Sequence, residues 1–181
     1  MIALQLEQFR QFAYYNRRFN TRIYETAAKL TDEARKRDSG AYFKSIHGTL
    51  NHLLWADRIW LGRFRAAKFC SKALEGAALL NGTEPHATEL CADFSGLHQE
   101  RSATDSVIEH WVASMTPAML DTTIRYSNME GVARQHAAWI AIAHVFNHQA
   151  HHRGQVTTLL HKAGVDPGVT DFIAFALNPS L

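Results

Sequence analysis

Eleven histidines occur in the chain, and six of them, His136, His144, His148, His151, His152 and His161, fall between positions 136 and 161. Neutral imidazole is a common ligand for divalent transition metals, and residues four apart on a helix share a face with their Cβ atoms about 5–6 Å apart. In the segment AHVFNHQAHHRGQV, His144 with His148 and His148 with His152 both meet that spacing. Placed at about 100° per residue with His144 as origin, Ala141, Ile142, Val145, Val156 and Leu159 fall between roughly 60° and 160°. His148 falls at about 40°, His152 at about 80° and His151 at about −20°, so the pair His148 and His152 points most directly at an apolar interior. One histidine on such a face is ordinarily a hydrogen-bonded core residue. Two neutral rings side by side each need an acceptor, and a shared cation gives both lone pairs a reason to face inward. The spacing does not name the ion, since zinc, copper, nickel and iron all suit imidazole.

A pair of ligands needs a third donor from a facing helix. The segment SIHGTLNHLLWADRIWLGR offers His47, His52 and Asp57. His52 has the small residues Thr49 and Ala56 as helical neighbours, which leaves space for a cation beside its ring. Asp57 sits nearer the middle of the apolar stripe and reads as a buried carboxylate in a salt bridge or hydrogen-bonded to a ligand. Spacing alone puts His52 only slightly ahead of His47. The two cysteines, Cys70 and Cys91, form no CxxC pair, so neither a disulfide framework nor a thiolate zinc site is indicated.

Helical periodicity supplies the elements that would hold these residues. Phe9, Phe12, Phe19, Ile23 and Ala27 recur at three- and four-residue steps and predict a first helix over 4–30. The charged TDEARKRDSG reads as a connection, after which Ser45 can cap a second helix to about Arg65, with Ile46, Leu50, Leu53, Trp60 and Phe64 as its stripe. A long irregular connection with at most one short helix is expected over 67–92, where Asn81-Gly82 and Pro85 occur. A third helix over about 93–115 has Phe94, Leu97, Ala103, Val107 and Trp111 on one face. Alternation at Thr122, Ile124 and Tyr126, then SNMEG and Val132, predicts a small hairpin. The fourth helix covers about 137–162 and stops at Gly164. The expected fold is all-α: a single-domain four-helix bundle over 1–181 with a hairpin inserted before the last helix.

Composition restricts the function classes. A formal charge of +2, with basic residues dense only at Arg17, Arg18 and Arg22, gives no basic stripe and argues against nucleic acid as partner. No apolar run approaches membrane-spanning length, and MIALQLEQFRQF lacks the features of a signal peptide. A cytoplasmic protein with no membrane partner is the expectation.

The blocks SIHGTLNHLLWADRIWLGR and HVFNHQAHHRGQV, together with the hairpin around 126–131 and the closing GVDPGVTDFIAF, resemble the DinB/YfiT-like family of bacterial four-helix-bundle metalloproteins. The DNA polymerase of similar name is unrelated to this resemblance. It implies that His52, His148 and His152 bind one divalent transition metal, with zinc or nickel the first choices. Such scaffolds include thiol transferases and isomerases acting with low-molecular-weight thiols. The resemblance therefore implies a metal-dependent enzyme that activates a thiol or water, of thiol-transferase or hydrolase type, with a small-molecule thiol as substrate. The alternative is a non-catalytic metal-binding or stress-response protein acting through a helical dimer. A homodimer is expected from the family's habit of pairing and from Phe12, Tyr14, Tyr15 and Phe19, which spread over more than one face of the first helix. Within HHRGQ, Arg153 is expected to face outward toward a carboxylate, Gly154 to admit a close helix, and His151 to lie at the bundle edge, a reading favoured over that of a pocket acid or base.

Overall fold

A computed structural model describes residues 2–81 and 89–178. The chain forms α1 (Ile2–Ala28), α2 (Asp32–Lys36), α3 (Ile46–Ala66), α4 (Phe94–Ala113), α5 (Pro117–Leu120), the strands β1 (Thr123–Ser127) and β2 (Ala133–Ala137), α6 (Ala138–Lys162) and α7 (Phe172–Leu177). The four long helices α1, α3, α4 and α6 make the expected all-α bundle: α1 packs on α4 and α6, and α3 packs on the same two. The hairpin pairs Thr123 with Ala137 and Ser127 with Ala133, and the Ala138 N–H donates to Thr122 O, so β2 runs directly into α6. No helix among the described residues is long and apolar enough to cross a membrane.

Local chemistry explains the boundaries. Ser45 accepts from the Gly48 N–H and caps α3, as Asp93 caps α4 through the Gly96 N–H. Gly164, at φ +82°, ends α6 in the left-handed conformation that glycine adopts without penalty. Three short helices were not expected. Thr31 caps α2 inside the charged connection, Pro117 starts α5, and the closing segment folds as α7. Short one- or two-turn helices give too few periods to stand out in sequence. The long connection contains two 3₁₀ turns, Ser71–Ala73 and Ala78–Leu80, and buries Phe69, Leu74 and Leu80. Gly82 and Pro85 lie outside the described residues.

Every long helix carries the same internal order: apolar residues, then polar ones, then apolar ones again. One apolar cluster contains Phe9, Leu61, Phe64, Trp111 and Ile142, and the other contains Ile23, Leu50, Leu97, Val156 and Leu160. Between them in sequence lie buried Asn16 and Asn20 of α1, Asp57 of α3, Arg101 and Asp105 of α4, and Gln149 and Arg153 of α6. The bundle thus has a polar waist. Arg101 meets both carboxylates, with Nη1 at 2.7 Å from Asp57 Oδ2 and Nη2 at 2.7 Å from Asp105 Oδ1. Asn16 and Asn20 also donate to Asp105. Asp57 is therefore a salt-bridged core carboxylate, as its sequence position suggests.

The waist also accounts for the errors of face. Arg101, Thr104 and Asp105 occupy the buried stripe of α4, while Ala103 is exposed and Val107 only half-buried. Hydrophobicity alone rotated that stripe. Arg153 is likewise buried rather than outward-facing: its guanidinium lies over the rings of Tyr15 and Phe19, because α1 covers this side of α6. Gly154 is exposed, with nothing within 4 Å of the position its Cβ would take, so it admits no close helix.

Candidate metal centre

Three imidazoles converge at the face shared by α3 and α6. His148 Nε2 lies 3.3 Å from His52 Nε2 and 3.1 Å from His152 Nε2. Two metal–nitrogen bonds of about 2.0–2.1 Å at a tetrahedral angle set their nitrogens roughly 3.3–3.4 Å apart, so these separations suit one shared cation. One ligand atom from each histidine falls within 4.8 Å of the others, and no cysteine, aspartate or glutamate among the described residues joins the group.

The protonation pattern favours the same reading. His152 Nδ1 lies 2.8 Å from Gln155 Oε1, and since the amide oxygen can only accept, the proton sits on Nδ1 and leaves Nε2 bare. The bare His152 Nε2 is thus an acceptor turned toward His148 Nε2, with its lone pair available to a cation. Burial, reinforced by His152 and His52, lowers His148 from its ordinary value of 6.5 to about 3. Burial, with the charge of His152 second, lowers His52 to about 4. At neutral pH these rings are neutral bases with free lone pairs.

Supporting groups come from the turn before α3 and from the next turn of α6. The Phe43 ring stacks on His52 at 3.9 Å between centroids and meets His152 edge-on at 5.4 Å. The space expected beside the His52 ring is thus covered on one face. Gly48 makes this approach feasible, because a Cβ there would lie 2.2 Å from Phe43 O. Gln155, placed one turn after His152, joins it to exposed His151, whose Nε2 is 3.3 Å from the Gln155 amide nitrogen. His47 is turned to other work: its Nε2 donates to Cys91 O at 3.0 Å and lies 3.2 Å from Glu89. His144 is exposed, with its ring 4.9 Å from that of Trp60.

The family model described as DinB family matches residues 4–178. The chain belongs to the DinB family. No curated protein and no solved structure matches it. In this DinB chain the structure brings together the three histidines singled out by sequence, while His47 and Asp57 of the same helix are engaged elsewhere. Gln155 and Phe43 went unnoticed as parts of the site. The three-residue step from His152 to Gln155 was a usable signal; Phe43 lies in a turn and gave none.

Proposed function

We propose that His52, His148 and His152 hold one divalent transition metal, zinc or nickel first, in a metal-dependent enzyme that activates a small thiol or water. The observation carrying this reading is the convergence of three neutral imidazole nitrogens without a fourth protein donor among the described residues. Structural zinc sites are ordinarily closed by four protein ligands, whereas catalytic sites keep three and an open position. Bound there, the ion would supply Lewis acidity, lowering the pKa of the thiol or water that enters the open position.

The chain's own residues do the positioning. Gln155 holds the proton on His152 Nδ1 and so fixes which nitrogen faces inward. Phe43 covers His52 and keeps water from that side of the ring. His151 lies beyond Gln155, within reach of solvent, where it can pass a proton without being a ligand. Pairing of two copies belongs to the proposal on a new footing, because Phe12, Tyr15 and Phe19 pack against Phe172 and Phe175 of their own chain. It now rests on the exposed Val132, Trp139 and Ile140.

The test is turnover by metal-loaded protein of a low-molecular-weight thiol with an electrophilic acceptor, and separately of an activated ester. Activity with one of them, lost in His52→Ala, is expected. Metal-loaded protein inert toward both would leave the non-catalytic reading.

A further inference from the structure

The other side of α6 carries a second feature that the histidine centre does not use. Phe12 and Tyr15 of α1, Phe146 and Ala150 of α6, and Phe172 of α7 wall a cavity of about 450 Å³, with Arg153 in its lining. Arg153 is 2% exposed, and no carboxylate among the described residues lies within ion-pair distance of it. Its Nε donates to Gln149 O at 3.3 Å and its Nη1 to Asn16 O at 3.2 Å, while Nη2 has no acceptor among the described residues. Arg101, equally buried, shows how this fold treats a guanidinium that is part of the scaffold: it is given two carboxylates. Both are thereby occupied, and they reach Arg153 only by attraction at a distance. A buried cation lacking an anion is costly, and the cost falls when an anion enters from outside.

We propose that this cavity binds a small monocarboxylate with an apolar body, the carboxylate on Arg153 and the body against Phe12, Phe146 and Phe172. The planar guanidinium fork matches a carboxylate, and one cation balances one charge. The apolar walls suit a hydrocarbon or aryl body rather than a strongly hydrated dianion such as phosphate. The volume lies within the usual range for small-ligand sites. No histidine of the metal centre lines the cavity, so the two sites occupy opposite faces of α6.

The experiment is calorimetric titration of the full chain, metal-free, with octanoate, beside octanol as the same body without charge and inorganic phosphate as charge without body. Saturable one-to-one octanoate binding is expected, with octanol and phosphate much weaker. Arg153→Met should weaken octanoate by about tenfold to a hundredfold, the worth of a charge-assisted contact. Should Arg153→Met fail to fold, Ala150→Phe, on the exposed wall, fills the cavity and should abolish binding. His148→Ala should leave octanoate binding intact, which separates this site from the metal centre. The proposal is overturned by no saturable binding, by octanol binding as well as octanoate, or by octanoate binding that survives Ala150→Phe. It is also overturned by octanoate binding lost in His148→Ala, or by a dimer that Ala150→Phe dissociates in sedimentation, since a second copy would then occupy this face.

Discussion

Two polar clusters sit at the middle of the bundle and differ in whether charge is balanced within them. In the Asp57–Arg101–Asp105 layer, a guanidinium contacts both carboxylates at 2.7 Å, and the asparagines of α1 donate to Asp105. Burial opposes the charge on Arg101, yet the Asp105 and Asp57 carboxylates outweigh it and raise its pKa. The His52–His148–His152 cluster holds neutral bases and no counter-charge: three Nε2 atoms converge, and the proton on His152 Nδ1 is already given to Gln155. A cluster whose charges are paired within it ties helices together, and one of converging neutral bases could hold a cation.

The largest consequence concerns the closed layer. Arg101→Met strands two buried carboxylates and should destabilise the fold by about 3–5 kcal/mol in denaturant unfolding. The metal-free His148→Ala protein should lose far less, because no buried charge is orphaned. Comparable losses in the two variants would erase the distinction between the clusters. A smaller effect sharpens the open side: Gln155→Ala should keep one-to-one metal binding but weaken it by about tenfold to a hundredfold, as removal of a hydrogen bond orienting a ligand does. Unchanged affinity in a competition titration would mean that packing alone orients His152.

The smallest effect is a difference in pH response. The histidines bind fewer protons folded than unfolded, since burial lowers His148 to about 3 and His52 to about 4 from 6.5. Their contribution is full above 6.5 and is lost as pH falls toward 4 and 3. Asp105 runs the other way. Burial, with Asp57 adding and Arg101 opposing, pushes it up to about 6 from 3.8, so its contribution is full below 3.8 and lost as pH rises through 6. Metal-free His148→Ala should therefore lose less stability than the parent between pH 7 and 4 in thermal unfolding. An identical slope would show that His148 is not held neutral by its surroundings.

How legible each cluster was depends on the same contrast. His148 and His152 stood out because a four-residue step on an apolar face is a periodic signal, and the flanking Ile142, Val145, Val156 and Leu159 are indeed buried. His52 was separated from His47 by resemblance, since the deciding fact is three-dimensional: His47 is claimed by Cys91 O and Glu89. The bundle and hairpin were readable because each long helix carries enough apolar periods. Arg101, Asp105 and Arg153 were not, because a charged residue on a helix looks solvated until its partner on another helix is known. α7 is six residues long, and its burial of Phe175 against α1 depends on a contact more than 150 positions away in sequence.

The most direct test of the central claim is a cobalt(II) titration of the metal-free chain followed by visible absorption. We expect one equivalent to bind with intense tetrahedral ligand-field bands, the bands to change on addition of azide or a small thiol as a donor enters the open position, and both responses to vanish in His148→Ala. Full cobalt binding in His148→Ala, or a spectrum that stays fixed at saturating azide and thiol, would contradict a three-histidine site with an open position.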